Sequence, residues 1–532
     1  LLAAIASAAL ANIKHFGVQE LAGTSWAFAQ LLFYHGPLLT AISSQALQQM
    51  PEFGSQELAN TAWAFARLEM PDEPLLESIS AAAMAKIAHG ASDFQPEGLT
   101  NMAWAWAALS VRDPPLFQSI ASAAMAKISD FAAQGLSGTA WSYATRSVSN
   151  PPLLAAISSA SLPRLLSFTL QGLGNTAWAF ATRGYSHAPL LEAISSEAIP
   201  KLRSSPPPAP AEVLAPVRGL SAAGAAGARA LGPLLEAAGT LMERQARRMD
   251  GRFPGAQQHD RCDGSASGGP ASATPYVMLR RPHLYVLWKP PGWTVTVGNG
   301  EDDDLASADT TPGSGSPLQD WVMGQLGSES LVAEDAGAAH GFLHRLDCQT
   351  SGAILCARTY HGYFLASLQF AARRVRKEYV CLCHGWLCAS PHLFEAPLLV
   401  VHAAGGAKCS TLGVGGRPAR TELHWVRHFR GPCGTRLSLT AVRLHTGRMH
   451  QIRAHLGSAG HPLVADPKYG GRLFPWCRRV FLHAARLELD IGAGPLAARS
   501  DLAEDLVQAL EVLGASCERA RPSLVVLPCD PG

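Results

Sequence analysis

No cysteine precedes Cys262, and charged residues make up only 16% of the 532-residue chain. No apolar run reaches the roughly 18 residues of a membrane-spanning helix. The late, odd-numbered set of eleven cysteines forms no regular framework, which excludes a disulfide scaffold and fits free thiols. The sequence reads as one that crosses no membrane. A hydrophobic content of 48% set against so little charge excludes a disordered chain and leaves room for several packed domains. The charge is also divided unevenly. Residues 1–202 hold nine Lys/Arg against thirteen Asp/Glu, 203–274 eight against six, and 275–532 twenty-six against twenty-two. The basic surplus that would attract a phosphate backbone therefore belongs to the C-terminal part. The chain opens inside a repeat at Leu1, so a true N-terminus and any targeting peptide are expected upstream.

Trp26, Trp63, Trp104, Trp141 and Trp178 follow one another at 37, 41, 37 and 37 residues, each inside a copy of a pattern such as ELANTAWAFA. Self-similarity at this period predicts a solenoid over 1–203. In the second copy Leu58, Ala62, Phe65 and Ala66 share one helical face, and Leu76, Ile79, Ala83 and Ile87 share another after Pro71 and Pro74. Each repeat is thus a helix pair, and the tryptophan is expected to pack between repeats as core. The pattern resembles heptatricopeptide and octotricopeptide helical repeats, which implies RNA contact in a mitochondrion or plastid, with the cytoplasm as the other compartment. Because the array is acidic, a protein partner on the repeats is an equal expectation.

SSPPPAPA and GSASGGPASATP bound residues 204–275, which read as a Pro/Gly/Ser-rich linker. Within it, Leu231 to Met249 is expected to form a helix with a solvated basic face of Arg244, Arg247 and Arg248.

Residues 276–532 carry the chemistry. GFLHRLDCQTSGAIL places Asp347 beside Arg345, and a carboxylate in an apolar setting needs such a partner. Downstream, Arg373, Arg374, Arg376 and Lys377 crowd four cations into five positions before the strand-like Tyr379–Cys383. They suit RNA phosphates, though a solvated face is the plainer reading. Further on, Leu437–Leu444 reads as a strand, Thr446 as a helix cap and Met449–Ser458 as the helix, with Arg448 and Arg453 beside its apolar face. Cys381, Cys383, His384 and Cys388 do not follow zinc-ligand spacing, and alternation turns the first two into the core. The acidic insert at 299–317, with three adjacent aspartates, reads as a loop.

HRLDCQTSG, RKEY and TGRMHQIRAHLGSAGHPLVADPKYG, in that order, resemble the RluA-type pseudouridine synthase family, with KPPG before them and FLHAARLEL after them. The resemblance spans nearly all of 284–490. It implies an α+β domain with a mixed, mostly antiparallel sheet, and an enzyme that isomerises uridines of rRNA, tRNA or organellar transcripts without metal or organic cofactor. It implies Asp347 as the catalytic carboxylate, Tyr379 as the tyrosine packed on uracil, and Arg453 as the partner of the aspartate. Arg345, Arg373, Arg374, Arg376, Lys377 and Arg448 are the expected RNA contacts. Cys348, Gln349 and Met449 depart from the family pattern but flank the key positions. An S4-type module is not recognisable ahead of the domain, where the repeats stand instead. The alternative is a non-catalytic RNA-binding protein or RNA chaperone that keeps the synthase fold.

Overall fold

A computed structural model describes residues 1–90, 93–185, 187–251, 273–295, 316–388, 393–402, 408–413, 415–492 and 494–515. They divide into two compact units, Leu1–Leu234 and Leu235–Gly532.

The first unit is a stack of helix pairs. Val18–Gln30, Ser55–Arg67, Pro96–Ala108, Ala133–Thr145 and Leu170–Thr182 are the first helices of successive repeats. Their partners share a start signal legible in sequence. His35, Asp72, Asp113, Asn150 and His187 each accept a hydrogen bond from the backbone N–H three residues on, at 3.0–3.2 Å, and a proline opens the first turn.

The tryptophans are not the core. Trp26 is 43% exposed and Trp63, Trp104, Trp141 and Trp178 are half-buried, whereas Phe28, Phe65, Trp106, Tyr143 and Phe180, two residues further on, are at most 3% exposed. A step of two residues turns a helix by about 200°, so only one of the pair can face the second helix. The conspicuous tryptophan takes the open side. Trp63 and Trp104 still touch between repeats, with ring centroids 6.3 Å apart.

The expected linker is helical over much of its length. Pro210–Ala222 and Ala228–Asp250 are helices, and Val213, Val217 and Leu220 of the former are fully buried. Proline marks a helix start here, since Pro210 occupies the first turn, where no N–H is needed, and the Glu212 carboxylate accepts from Ala209 N. Arg247 and Arg248 are exposed, as expected of a solvated face. Residues 252–272, with most of the Gly/Ser run, lie outside the described residues, as does 299–315 of the acidic insert.

The second unit holds β1 (Tyr276–Arg280), β2 (Leu284–Lys289), β3 (Ser351–Ala357), β4 (Arg376–His384), β5 (Leu393–Phe394), β6 (Leu398–His402), β7 (Lys408–Leu412), β8 (Thr421–Arg430), β9 (Arg436–Leu444), β10 (Leu482–Asp490) and β11 (Pro495–Arg499). The main sheet runs β1-β2-β3-β10-β4-β9-β8-β5, with β11 on β10, and β6–β7 form a separate hairpin. Among the described residues β3–β10 is the one parallel pair of named strands; all others are antiparallel. This is the mixed, mostly antiparallel sheet that the resemblance implies. Gly352 permits the parallel pairing, because a Cβ there would lie 2.3 Å from the Ala484 carbonyl oxygen. Alternation along β4 sends Tyr379, Cys381 and Cys383 into one core cluster and Val380 and Leu382 into the other. The two cysteines are thus core residues. Before Pro290-Pro291-Gly292 stands the full strand β2, and after it Thr294 makes a single bridge to Pro317 among the described residues.

Candidate active site

Asp347 sits in a turn closed by Thr350 N donating to its carbonyl at 3.0 Å, just before β3 begins. Two buried cations pin this turn. Lys289, at the end of β2 and fully buried, donates to the carbonyls of Pro290, Trp293 and Cys348 at 2.8–3.1 Å. Burial pulls its pKa down to about 7, opposed by the neighbouring Cys348 and Asp347. On the other side Arg479 donates to the Gln349 carbonyl at 2.9 Å and to Ser351 Oγ at 3.0 Å, and Asp505 holds its guanidinium at 2.6 and 2.9 Å. His344 accepts from Leu355 N at 3.0 Å, and burial, then the charge of Lys377, lower its pKa to about 3. It is a neutral staple, with no part in proton transfer near neutrality.

Arg453 reaches the turn from the helix Gln451–Ser458. That helix starts two residues later than predicted, because His450 adopts the left-handed conformation at φ +50° and forms the cap. Thr446 is no cap; its hydroxyl donates to Gln451 Oε1 at 2.7 Å and accepts from Arg420 N. Arg453 Nη1 donates to Asp347 Oδ2 at 3.1 Å, while Nε and Nη2 donate to the two oxygens of Asp466 at 2.8 and 2.9 Å. Tyr469 lies under the guanidinium, 5.1 Å from ring centroid to carbon. Burial alone would lower the pKa of Arg453, but the two carboxylates reverse this and push it up.

Asp347 is the more open of the two acids, with 17% of its side chain exposed against none for Asp466. Burial pushes its carboxyl up, yet His450, Arg453 and Arg345 outweigh that and hold it below the usual carboxylate range. The result is an ionised, partly accessible carboxylate held by a cation that cannot swing away. Tyr379 is buried in β4, and burial followed by the charge of Asp347 raises its hydroxyl pKa. It remains a neutral phenol.

Residues 283–458 match the family described as RNA pseudouridylate synthase. This region is a pseudouridine synthase domain.

The chain is 29% identical over 254 residues to tRNA pseudouridine synthase C of Salmonella typhimurium, covering 45% of this chain and 89% of the relative. It is 30% identical over 230 residues to ribosomal large subunit pseudouridine synthase D of Escherichia coli K12, covering 39% and 65%. Among solved structures, human RNA Pseudouridylate Synthase Domain Containing 1 aligns with a TM-score of 0.34 and 23% identity, over 47% of this chain and 97% of that one.

The synthase domain sorts the predicted cations unequally. Lys377 shares the Tyr379 face of β4, its ammonium 5.6 Å from the Phe370 ring centroid. Burial and the charge of Arg448 lower its pKa to about 8. Arg373, exposed like Arg374, follows in the turn after the helix Tyr360–Ala371, where lost solvation and repulsion from Arg448 and Arg420 lower its pKa. Arg448, Arg373 and Lys377 thus form one cationic group, and Arg345 acts on Asp347 from the HRLD turn. Arg376 belongs elsewhere, on the opposite face of β4, where it pairs with Glu378 at 2.6 Å and reaches Glu488 at 3.9 Å. Arg374 is exposed.

Sequence reasoning missed Asp466, Lys289 and Arg479. Asp466 carried a signal, since Leu463-Val464-Ala465 places a carboxylate directly after an apolar run. Lys289 was visible as part of KPPG but not as a buried cation.

Proposed function

We propose that the synthase domain converts uridine to pseudouridine through Asp347, with tRNA or rRNA as substrate. One relationship carries this reading. Asp347 is ionised and partly exposed, and the Arg453 that holds it is itself locked by Asp466. Detaching uracil from its ribose calls for a carboxylate that attacks or deprotonates the sugar, and a charged neighbour keeps that carboxylate ready at neutral pH. The freed base then turns and rejoins through carbon, releasing the proton of that carbon. Tyr379, neutral and flat, is suited to pack on the base, and its raised pKa argues against its acting as the base that takes the proton. Arg345, Arg373, Lys377 and Arg448 serve as contacts to a flipped-out strand. The printed names of the relatives put tRNA and ribosomal RNA first among the classes to try.

The test is incubation of the full chain with unmodified tRNA and rRNA transcripts, followed by chemical mapping of pseudouridine. New pseudouridine at defined uridines is expected, and its loss in Asp347→Ala. RNA binding without any pseudouridine would instead favour the non-catalytic RNA-binding reading.

A further inference from the structure

The loops inside the repeats hold a second cationic feature, far in sequence from the synthase domain. Arg146 ends the helix Ala133–Thr145 and is only 5% exposed, with its Nε buried and lacking a hydrogen-bond partner. Burial and the repulsion of Arg112, from the preceding repeat, lower its pKa, and no carboxylate offsets them. Both arginines line a cavity of about 220 Å³, together with Asp113, Phe117, Val148 and Ser149. The Asp113 carboxylate is committed away from them, since Oδ1 accepts from Leu116 N at 3.1 Å and Oδ2 from Ser80 Oγ at 2.5 Å.

A buried guanidinium with an orphaned donor and a second cation beside it is costly for the empty protein, and a bound anion removes that cost. Guanidinium forks match tetrahedral oxyanions in geometry as well as charge. A water takes about 30 Å³ of liquid, so the space admits a phosphate with part of its ester groups.

We propose that this pocket binds a phosphodiester of an RNA strand lying across the repeat loops. The oxyanion chemistry stands on the pocket itself; the choice of RNA as its source rests on the RNA-modifying reading of the synthase domain. Because the array is acidic on balance, phosphate contact there is made at a localised site and not through a general field.

Three probes are titrated against the full chain and against Arg112→Gln and Arg146→Gln, namely inorganic phosphate, an oligouridylate, and the same oligomer with an uncharged methylphosphonate backbone. Arg112 is exposed, so Arg112→Gln preserves folding, and thermal unfolding checks Arg146→Gln. Phosphate and oligouridylate affinities are expected to fall about tenfold in Arg112→Gln, the salt slope of RNA binding to drop by about one, and the neutral oligomer to bind weakly to all three proteins. Phosphate binding unchanged in both variants would overturn the pocket. Weaker phosphate binding with unchanged oligouridylate binding would overturn RNA as its source. Pseudouridine formation, followed separately, distinguishes failure of the catalytic reading: an inactive chain whose phosphate binding still depends on Arg112 leaves the pocket standing.

Discussion

Arg453 is shared unequally between two carboxylates, giving Asp347 one hydrogen bond at 3.1 Å and Asp466 two at 2.8 and 2.9 Å. Asp466 fixes the guanidinium; Asp347 uses what is left.

Asp466→Asn removes the fixed side of this arrangement. Breaking a buried pair costs about 3–5 kcal/mol, so a denaturant midpoint shift should accompany a fall in kcat/KM. Arg453→Lys separates the two effects, because an ammonium cannot span both acids. It should keep a folded domain while the acidic limb of the pH–rate profile moves upward. A folded Arg453→Lys with an unaltered profile would remove Arg453 from the account.

The pH dependence has a definite sign. The folded pKa of Asp347 lies below its unfolded value of about 3.9, so its ionised form and the stability it brings are present above that value and fade as pH falls through the folded pKa. The carboxylate limb of kcat/KM should therefore be flat from neutrality down to about pH 5. Arg345→Met withdraws one of the charges that depress this pKa and should move the limb upward; a limb near pH 6 in the unaltered protein would contradict the assignment.

Lys289→Met orphans the carbonyls of Pro290 and Trp293, while the Cys348 carbonyl keeps the Gly292 N–H at 2.8 Å. Each unsatisfied carbonyl costs roughly 1–3 kcal/mol, and the turn bearing Asp347 loses one of its two pins. Lower stability and lower kcat are expected together, measured by urea unfolding and by single-turnover rates. Activity at the unaltered level would show that Arg479 and the Gly292 N–H suffice to hold the turn.

Trp106→Ala and Trp104→Ala should differ sharply although two residues apart. The first empties a core site that is 1% exposed and should cost about 3–5 kcal/mol. The second trims a half-buried ring and should cost on the order of 1 kcal/mol. Equal costs by thermal unfolding would return the tryptophans to the core.

Much of this architecture was legible in the chain. The repeats followed from periodicity, and the mixed sheet and the pairing of Asp347 with a distant arginine from the family resemblance, because local patterning and chemistry pointed the same way. What stayed hidden depended on facing direction or on partners far along the chain. Period alone could not tell the Trp104 position from the Trp106 position as the inward one, since every copy carries an aromatic residue at both. Proline at 206–210 signalled a break, yet Pro210 begins a helix whose Val213, Val217 and Leu220 stripe outweighs it. Arg376 and Lys377 looked alike as cations, and only strand alternation separates the one paired with Glu378 from the one beside Tyr379.

The most direct test of the central claim uses RNA whose uridines carry tritium at C5, the carbon that loses its proton as pseudouridine forms. The full chain should release tritium from its substrate RNA, and Asp347→Asn, which keeps the side chain's shape and leaves Arg453 bound to Asp466, should release none above background. Release by Asp347→Asn at the unaltered rate would contradict the account.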